Sequence, residues 1–353
     1  MNVYYLVFFI TFIIQFVPVK NQKEYVWRLF FTFLPLFVYA ALRVDFGRDY
    51  FSYENIYENA ENRLSFWYQD EEGFMILNRL MPTFRSLIVL TSAFTCLVYG
   101  VVFYRYIPVN YSWLAILLLF LAGDKTIFFM FSGLRNSISI SVLLLSLPFI
   151  EKRKIFWFIG CMFLAGQFHR SAFLFFPMAY LLGRFNGQMK KKELFVWLGV
   201  FIFILIFSSS VLLEYVNWLL DNEFFNKYSE KYKDRYEAAD NRGGLLIFAI
   251  IILFGTLLYI INAYKLNNTL NVVFRLALVF VFSYALGTLN MRISQHFISF
   301  FVIALVNVFA YIKNDLIKYG FLLFVLLFLG YSFIIIYVGG PTFPYMYYHS
   351  ILD

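Results

Sequence analysis

Charge is scarce in this chain. Only 14% of its 353 residues are Asp, Glu, Lys or Arg, against roughly a quarter in a soluble domain. Cysteine and histidine are scarcer still, with two Cys and three His. Cys96 and Cys161 both lie in apolar runs and read as buried thiols, not as a disulfide framework. His169, His296 and His349 stand far apart in the sequence and form no metal-ligand spacing. No glycine-rich nucleotide loop is present, so neither a resident metal nor a nucleotide cofactor is expected. The first apolar segment lacks a basic leader and a small-residue cleavage site, so it is expected to be a retained span.

What fills the space is hydrophobic. Apolar residues make up 62% of the chain, aromatics 23%, with 48 Phe and 27 Tyr, and the mean hydropathy is +0.72. These values predict a polytopic all-α membrane protein, a single domain over residues 1–353. Candidate spans are 3–19, 26–42, 86–106, 111–131, 133–150, 155–168, 171–185, 194–213, 244–263, 272–290, 295–312 and 319–338, about twelve in all. Two longer polar segments, 43–85 and 214–243, remain as loops. The first contains EEGFMILNRLMPTF, an amphipathic stretch suited to lying flat at the interface.

Orientation follows from short basic loops. The 20–28 loop, EKRK at 151–154 and GQMKKK at 187–192 are placed in the cytoplasm. Both termini, 43–85, 214–243 and the turns at 131–135 and 169–170 then face outward. The formal net charge of +8 is in this reading a topology signal, and nucleic acid is not expected as a partner. Lysines gather in the cytoplasmic loops and arginines on the outer side. Lysine suffices for topology, whereas arginine makes bidentate contacts with phosphate or carboxylate.

The outward charges fall in short groups. LRVDFGRDYFSY at 42–53 carries Arg43, Asp45, Arg48 and Asp49 at the mouth of a span. Either the arginines hold a phosphate while Asp45 or Asp49 orients a hydroxyl, or the four form a salt-bridge knot. GDKTIFFMFSGLRNSISISV at 123–142 sets Asp124, Lys125 and Arg135 in apolar sequence, where each charge costs at least about 2.5–3.5 kcal/mol at mid-membrane. They must therefore face a cavity or one another, and Arg135 beside the start of a helix suits an anion. GQFHRSAFLFFP at 166–177 puts His169 and Arg170 between two short apolar segments, which places the turn in a recess below the surface. His169 can there act as a base, or be structural beside a snorkelling arginine. LNMRISQHF places Arg292 and His296 four residues apart on one helix face. QDEEGF supplies Asp70, Glu71 and Glu72; most such acidic runs are solvated, and Glu72 is the member retained as a candidate.

In this order, RVDFGRDYFSY, EEGF, GLRNSIS, HRSAF and MRIS with HF resemble the EpsG-type branch of the Wzy-like polysaccharide polymerases of bacteria, over roughly residues 35–310. That branch more often has Gln after the GLR arginine, where this chain has Asn136. The resemblance implies a multi-pass inner-membrane glycosyltransferase acting on the periplasmic or outer face. It joins undecaprenyl-diphosphate-linked oligosaccharide repeats into O-antigen, capsule or exopolysaccharide, without metal or cofactor. The implied partners are that lipid-linked oligosaccharide, membrane lipid and, where length is controlled, a chain-length regulator. Arg135 and Arg292, helped by Arg43, Arg48 and Arg170, would stabilise the leaving diphosphate, with His296 beside Arg292. The catalytic carboxylate or base would be Asp49, Asp45, Glu72 or His169. The alternatives are a flippase or transporter of the same lipid-linked glycan and a membrane O-acyltransferase that modifies it. The former would set its charges at the midplane, often with internal repeats, and the latter needs a cytoplasmic acyl donor.

Overall fold

The computed structural model describes residues 3–47, 49–60, 71–122, 126, 133–185, 187–207, 244–285, 291–337 and 349–350. Among them are fourteen α-helices. In chain order these are α1 (Val3–Ile14), α2 (Gln22–Ala41), α3 (Tyr50–Glu58), α4 (Glu72–Leu80), α5 (Phe84–Tyr106), α6 (Ser112–Leu121) and α7 (Leu134–Glu151). Then come α8 (Ile155–Phe168), α9 (Ala172–Gly183), α10 (Lys191–Phe207), α11 (Gly244–Ala263), α12 (Asn268–Ala285), α13 (Met291–Tyr311) and α14 (Asp315–Tyr337). A two-residue strand, β1 (Arg43–Val44), pairs antiparallel with β2 (His349–Ser350).

Each apolar segment singled out in the sequence carries a helix, and the 43–85 loop adds α3 and the amphipathic α4. By length and composition only α5 and α7 are long and apolar enough to cross a membrane among the described residues. Helices α1, α6, α8 and α9 have 12, 10, 14 and 12 residues, so none reaches beyond about 21 Å at 1.5 Å per residue. Helix length thus defines two spans and does not establish the expected twelve. The 214–243 segment, Asp124 and Lys125 lie outside the described residues.

The chain divides into two compact units, Met1–Arg184 with Leu305–Asp353, and Phe185–Ala304. In the first, α7 is the central helix, packed by α5, α8 and α9. Its Ser137, Ser139, Ser141 and Ser146 are all buried, and such small side chains let neighbouring helices approach closely. Helix α2 lies along α5 and α1, α1 also touches α6, and α6 meets α14. Local signals fix the helix starts. Asn21 caps α2 by accepting from the Glu24 amide at 3.0 Å. Thr83 and Ser86 form a reciprocal capping box on α5.

The two ends of this unit differ in chemistry. At one end Arg28 donates to the carbonyls of Gln15, Val17 and Val109 and to Ser112 Oγ. The Tyr106 carbonyl there accepts from Asn307, and Lys318 Nζ donates to Tyr111 Oη. Lys20, Lys23, Lys313 and Lys318 belong to this end. At the other end Arg85 Nη1 donates to the carbonyls of Ala41 and Arg43, both at 2.7 Å, tying the finish of α2 to the start of α5. That end carries Arg43, Arg79, Arg85, Arg135 and Arg170, and no lysine among its described residues.

The second unit is built on α12, which packs against α10 and α11. Phe201 stacks on Phe254 at 3.9 Å between centroids, and Phe282 and Trp197 complete the aromatic core. Arg275 is fully buried there. It grips Glu193 with two arms, Nε to Oε1 at 2.6 Å and Nη2 to Oε2 at 3.0 Å, and also donates to the carbonyls of Asn271 and Gly187. Trp197 Nε1 donates to the same carboxylate. Removing one partner of such a pair strands the other charge. Arg275→Met should therefore cost about 3–5 kcal/mol, and the double change with Glu193→Leu should recover most of it. Thermal unfolding in detergent measures both; an Arg275→Met protein that melts with the wild type would refute the clamp.

Candidate functional site

The arginine end of the first unit gathers around a residue passed over in the sequence. Glu71 directly precedes α4, and its carbonyl accepts the first amides of that helix, from Phe74 and Met75. Its side chain is buried. Oε1 accepts from His169 Nδ1 at 3.0 Å and from the Arg170 backbone amide at 3.2 Å. Oε2 accepts from Arg135 Nη1. One carboxylate thus joins the start of α4, the start of α7 and the turn between α8 and α9.

Each partner is placed by local sequence. Arg135 stands in the first turn of α7, after Gly133 and beside Leu134, which is buried in an apolar cluster with Tyr53, Ile56, Phe74, Met75 and Leu87. The guanidinium lies over the rings of Tyr53, at 5.7 Å, and Phe74, at 5.9 Å, so an aromatic floor carries its charge. His169 ends α8 in an extended conformation, and its amide donates back to Ala165. The Ala172 and Phe173 amides then bond the carbonyls of His169 and Arg170, which closes the turn that aims the Arg170 amide at Glu71.

Two glycines allow close approaches here, Gly73 that of α4 to α8 and Gly166 that of α8 to α9. A Cβ at Gly73 would sit 2.6 Å from Gln167 Cβ and 3.2 Å from its carbonyl oxygen. A Cβ at Gly166 would enter the ring of Phe173, at 2.3 Å. EEGF and HRSAF are therefore two halves of one contact: Glu71 supplies the acceptor, Gly73 the clearance and Phe74 the floor.

Burial alone would push the Glu71 carboxyl up. The hydrogen bond from His169, the charge of Arg135 and the Arg170 amide outweigh it and hold the carboxyl below its ordinary range. The side chains of Arg135 and His169 each keep 15% of their surface exposed, and Arg170 is exposed. The arrangement can therefore present an imidazole and two guanidinium groups to an anionic or hydroxylated ligand.

Of the residues predicted from sequence, the structure brings together Arg135, His169 and Arg170. The acid at their centre is Glu71 and not Glu72, which is exposed on the opposite side of α4. The reason is helical register. Phe74, Met75 and Asn78 are the buried positions of α4, and residue 71 shares their face, whereas 72 shares the face of the exposed Ile76 and Arg79. That register was the signal available in the sequence. Arg43 is buried, with Nη1 donating to the Ala40 carbonyl at 2.8 Å at the end of α2. Asp45 and Asp49 are exposed. Asp45 has φ 50° and Gly47 φ 108°, so this loop turns through left-handed backbone. Phe46 anchors it, fully buried against Tyr39. Tyr53, the last residue of the 42–53 stretch, lies beneath the Arg135 guanidinium. Arg48 lies outside the described residues, as does the side chain of Arg292. His296 is buried in the second unit.

The fold and this cluster define a largely helical protein with apolar helices and a carboxylate–arginine–histidine site at an arginine-rich end. The family model described as the EpsG family matches residues 26–350, and the chain belongs to that family. Membership points to a membrane protein of the polysaccharide-polymerase type. No curated protein and no solved structure matches the chain.

The pH dependence of stability follows from the sign of the Glu71 shift. A carboxyl with a lowered folded-state pKa contributes fully above its unfolded value of about 4.3, and that contribution is lost as pH falls through the folded value. The thermal midpoint of the wild type should therefore drop more steeply below about pH 4 than that of Glu71→Gln. Parallel curves would show that the cluster carries no such energy. Gly73→Val should separate α4 from α8 and cost about 1–3 kcal/mol, read as a lowered midpoint at neutral pH; an unchanged midpoint would refute the close approach.

Proposed function

We propose that this protein is a membrane glycosyltransferase that polymerises oligosaccharide repeats carried on undecaprenyl diphosphate, at the periplasmic or outer face of the bacterial inner membrane. The observation that carries the reading is the Glu71-centred cluster of Arg135, His169 and Arg170 at the end of the first unit that has no lysine among its described residues. The opposite end holds the lysines, as a cytoplasmic face does. Membership of the EpsG family supports the same reading. About twelve spans, with the site loops outward, complete the proposed topology.

The donor is a glycosyl diphosphate-lipid. Negative charge grows on its diphosphate as the bond to C1 breaks, and fixed guanidinium groups stabilise that charge without reorganising. Arg170, exposed at the rim, and Arg135, on its aromatic floor, take this role. The growing chain leaves its lipid and passes to the non-reducing end of a new repeat. The chemistry needs a held anion and an acceptor hydroxyl that is oriented and gives up its proton.

The test is to extract and size lipid-linked glycans from cells lacking the gene. Single complete repeats on lipid diphosphate, exposed outside, with no ladder, are expected. Single repeats trapped inside would mean a flippase, and a ladder missing one acyl group would mean a modifying enzyme; either overturns the proposal. Arg170→Ala should shorten and deplete the ladder by about 100-fold in rate, the usual cost of losing one such donor, and a normal ladder would remove Arg170 from the site.

A further inference from the structure

The polymerase reading leaves open which group takes the proton from the attacking hydroxyl. We infer that Glu71 and His169 form a carboxylate–imidazole pair, in which Glu71 positions the ring and His169 Nε2 accepts that proton; this inference rests on the polymerase reading.

The geometry supplies the argument. A carboxylate beside Arg135 is ionised and can only accept hydrogen bonds. The nitrogen that faces it, His169 Nδ1 at 3.0 Å, must therefore carry the ring hydrogen. In a neutral imidazole that choice puts the basic lone pair on Nε2. Arg135 on the second oxygen and the Arg170 amide on the first stop the carboxylate from turning. The ring is thus held in one tautomer and one orientation. Among the described residues, the charged groups around it include Glu71 from the start of α4, Arg135 from α7 on the other oxygen of that carboxylate, and Arg170, the next residue of its own turn. Glu72 lies on the far side of α4. Burial of Glu71 beneath the cluster keeps it from reaching a substrate directly, so it is a positioning residue, and His169, with 15% of its side chain exposed, is the group that meets the hydroxyl.

The step balances. The acceptor oxygen forms a bond to C1 of the donor sugar, and the bond from C1 to the diphosphate oxygen breaks with its electron pair on the diphosphate. The hydroxyl proton moves to Nε2. The imidazolium so formed is stabilised by Glu71 and returns the proton to the departing lipid diphosphate or to water. Arg135 thereby links the two halves of the reaction, holding Glu71 under the base while its charge lies near the leaving group.

The experiment uses full-length protein in vesicles supplied with a purified lipid-diphosphate-linked repeat, with ladder formation followed between about pH 5 and pH 9. Wild type should show a rate that falls on the acid side. His169→Ala should lose about 100- to 10,000-fold in rate, the usual worth of a general base, and should lose that acid limb. Added imidazole should restore part of the rate to His169→Ala and none to Arg170→Ala. Glu71→Gln should lower kcat more than it raises KM, and Glu71→Asp should recover part of the loss. A His169→Ala protein that keeps its rate or its acid limb, or one that imidazole does not help, overturns the pair while leaving the polymerase reading standing. A wild type that builds no ladder overturns the polymerase reading and the pair with it.

Discussion

Three donors from two separated parts of the chain, Arg135 and the His169–Arg170 turn, converge on the carboxylate of Glu71, and the end of the first unit is organised around that convergence. A buried carboxylate without partners is costly, and one with three charge-assisted or backbone donors is fixed in place. Because the donors come from α7 and from the α8–α9 turn, the ion cluster also sets where α4 lies. Gly73 and Phe74 then follow as necessities. One must clear Gln167, and the other must fill the space beneath Arg135. The local sequence EEGF is thus read in full by one interaction.

The segregation of cations has the same physical logic at a larger scale. At the lysine end, Arg28 is used to satisfy carbonyls at the ends of α1 and before α6, and Lys318 rests on the rings of Tyr111 and Phe309. These are structural uses. At the arginine end, Arg85 and Arg79 also satisfy backbone carbonyls, but Arg135 is paired with a side chain that other groups share. Planar guanidinium groups can bridge a fixed protein acceptor and a further anion, which an ammonium does less well. The difference between the ends is therefore one of what the cations can bind, as well as of how many there are.

Much of this was legible in the sequence. The helices were, because long apolar runs broken by short polar turns leave little else to form. Arg135, His169 and Arg170 stood out because charge in apolar sequence demands a partner. Glu71 did not, since an acid flanked by two others looks solvated until the register of α4 is drawn. The pairing of Arg43–Val44 with His349–Ser350 was beyond reach, because two-residue strands have no periodicity to detect. Helix length was overestimated at α1, where apolar composition runs on past the last helical residue.

That small strand pair has a consequence for how the molecule comes into being. Residues 43–44 emerge early in synthesis, and their partners at 349–350 only after the whole of the second unit has been made. The loop closed by this pairing is very long, but closure entropy grows only logarithmically with length. The delay is one of time rather than of energy. The β1–β2 pairing therefore forms only after the intervening helices have been laid down, as a late event of assembly.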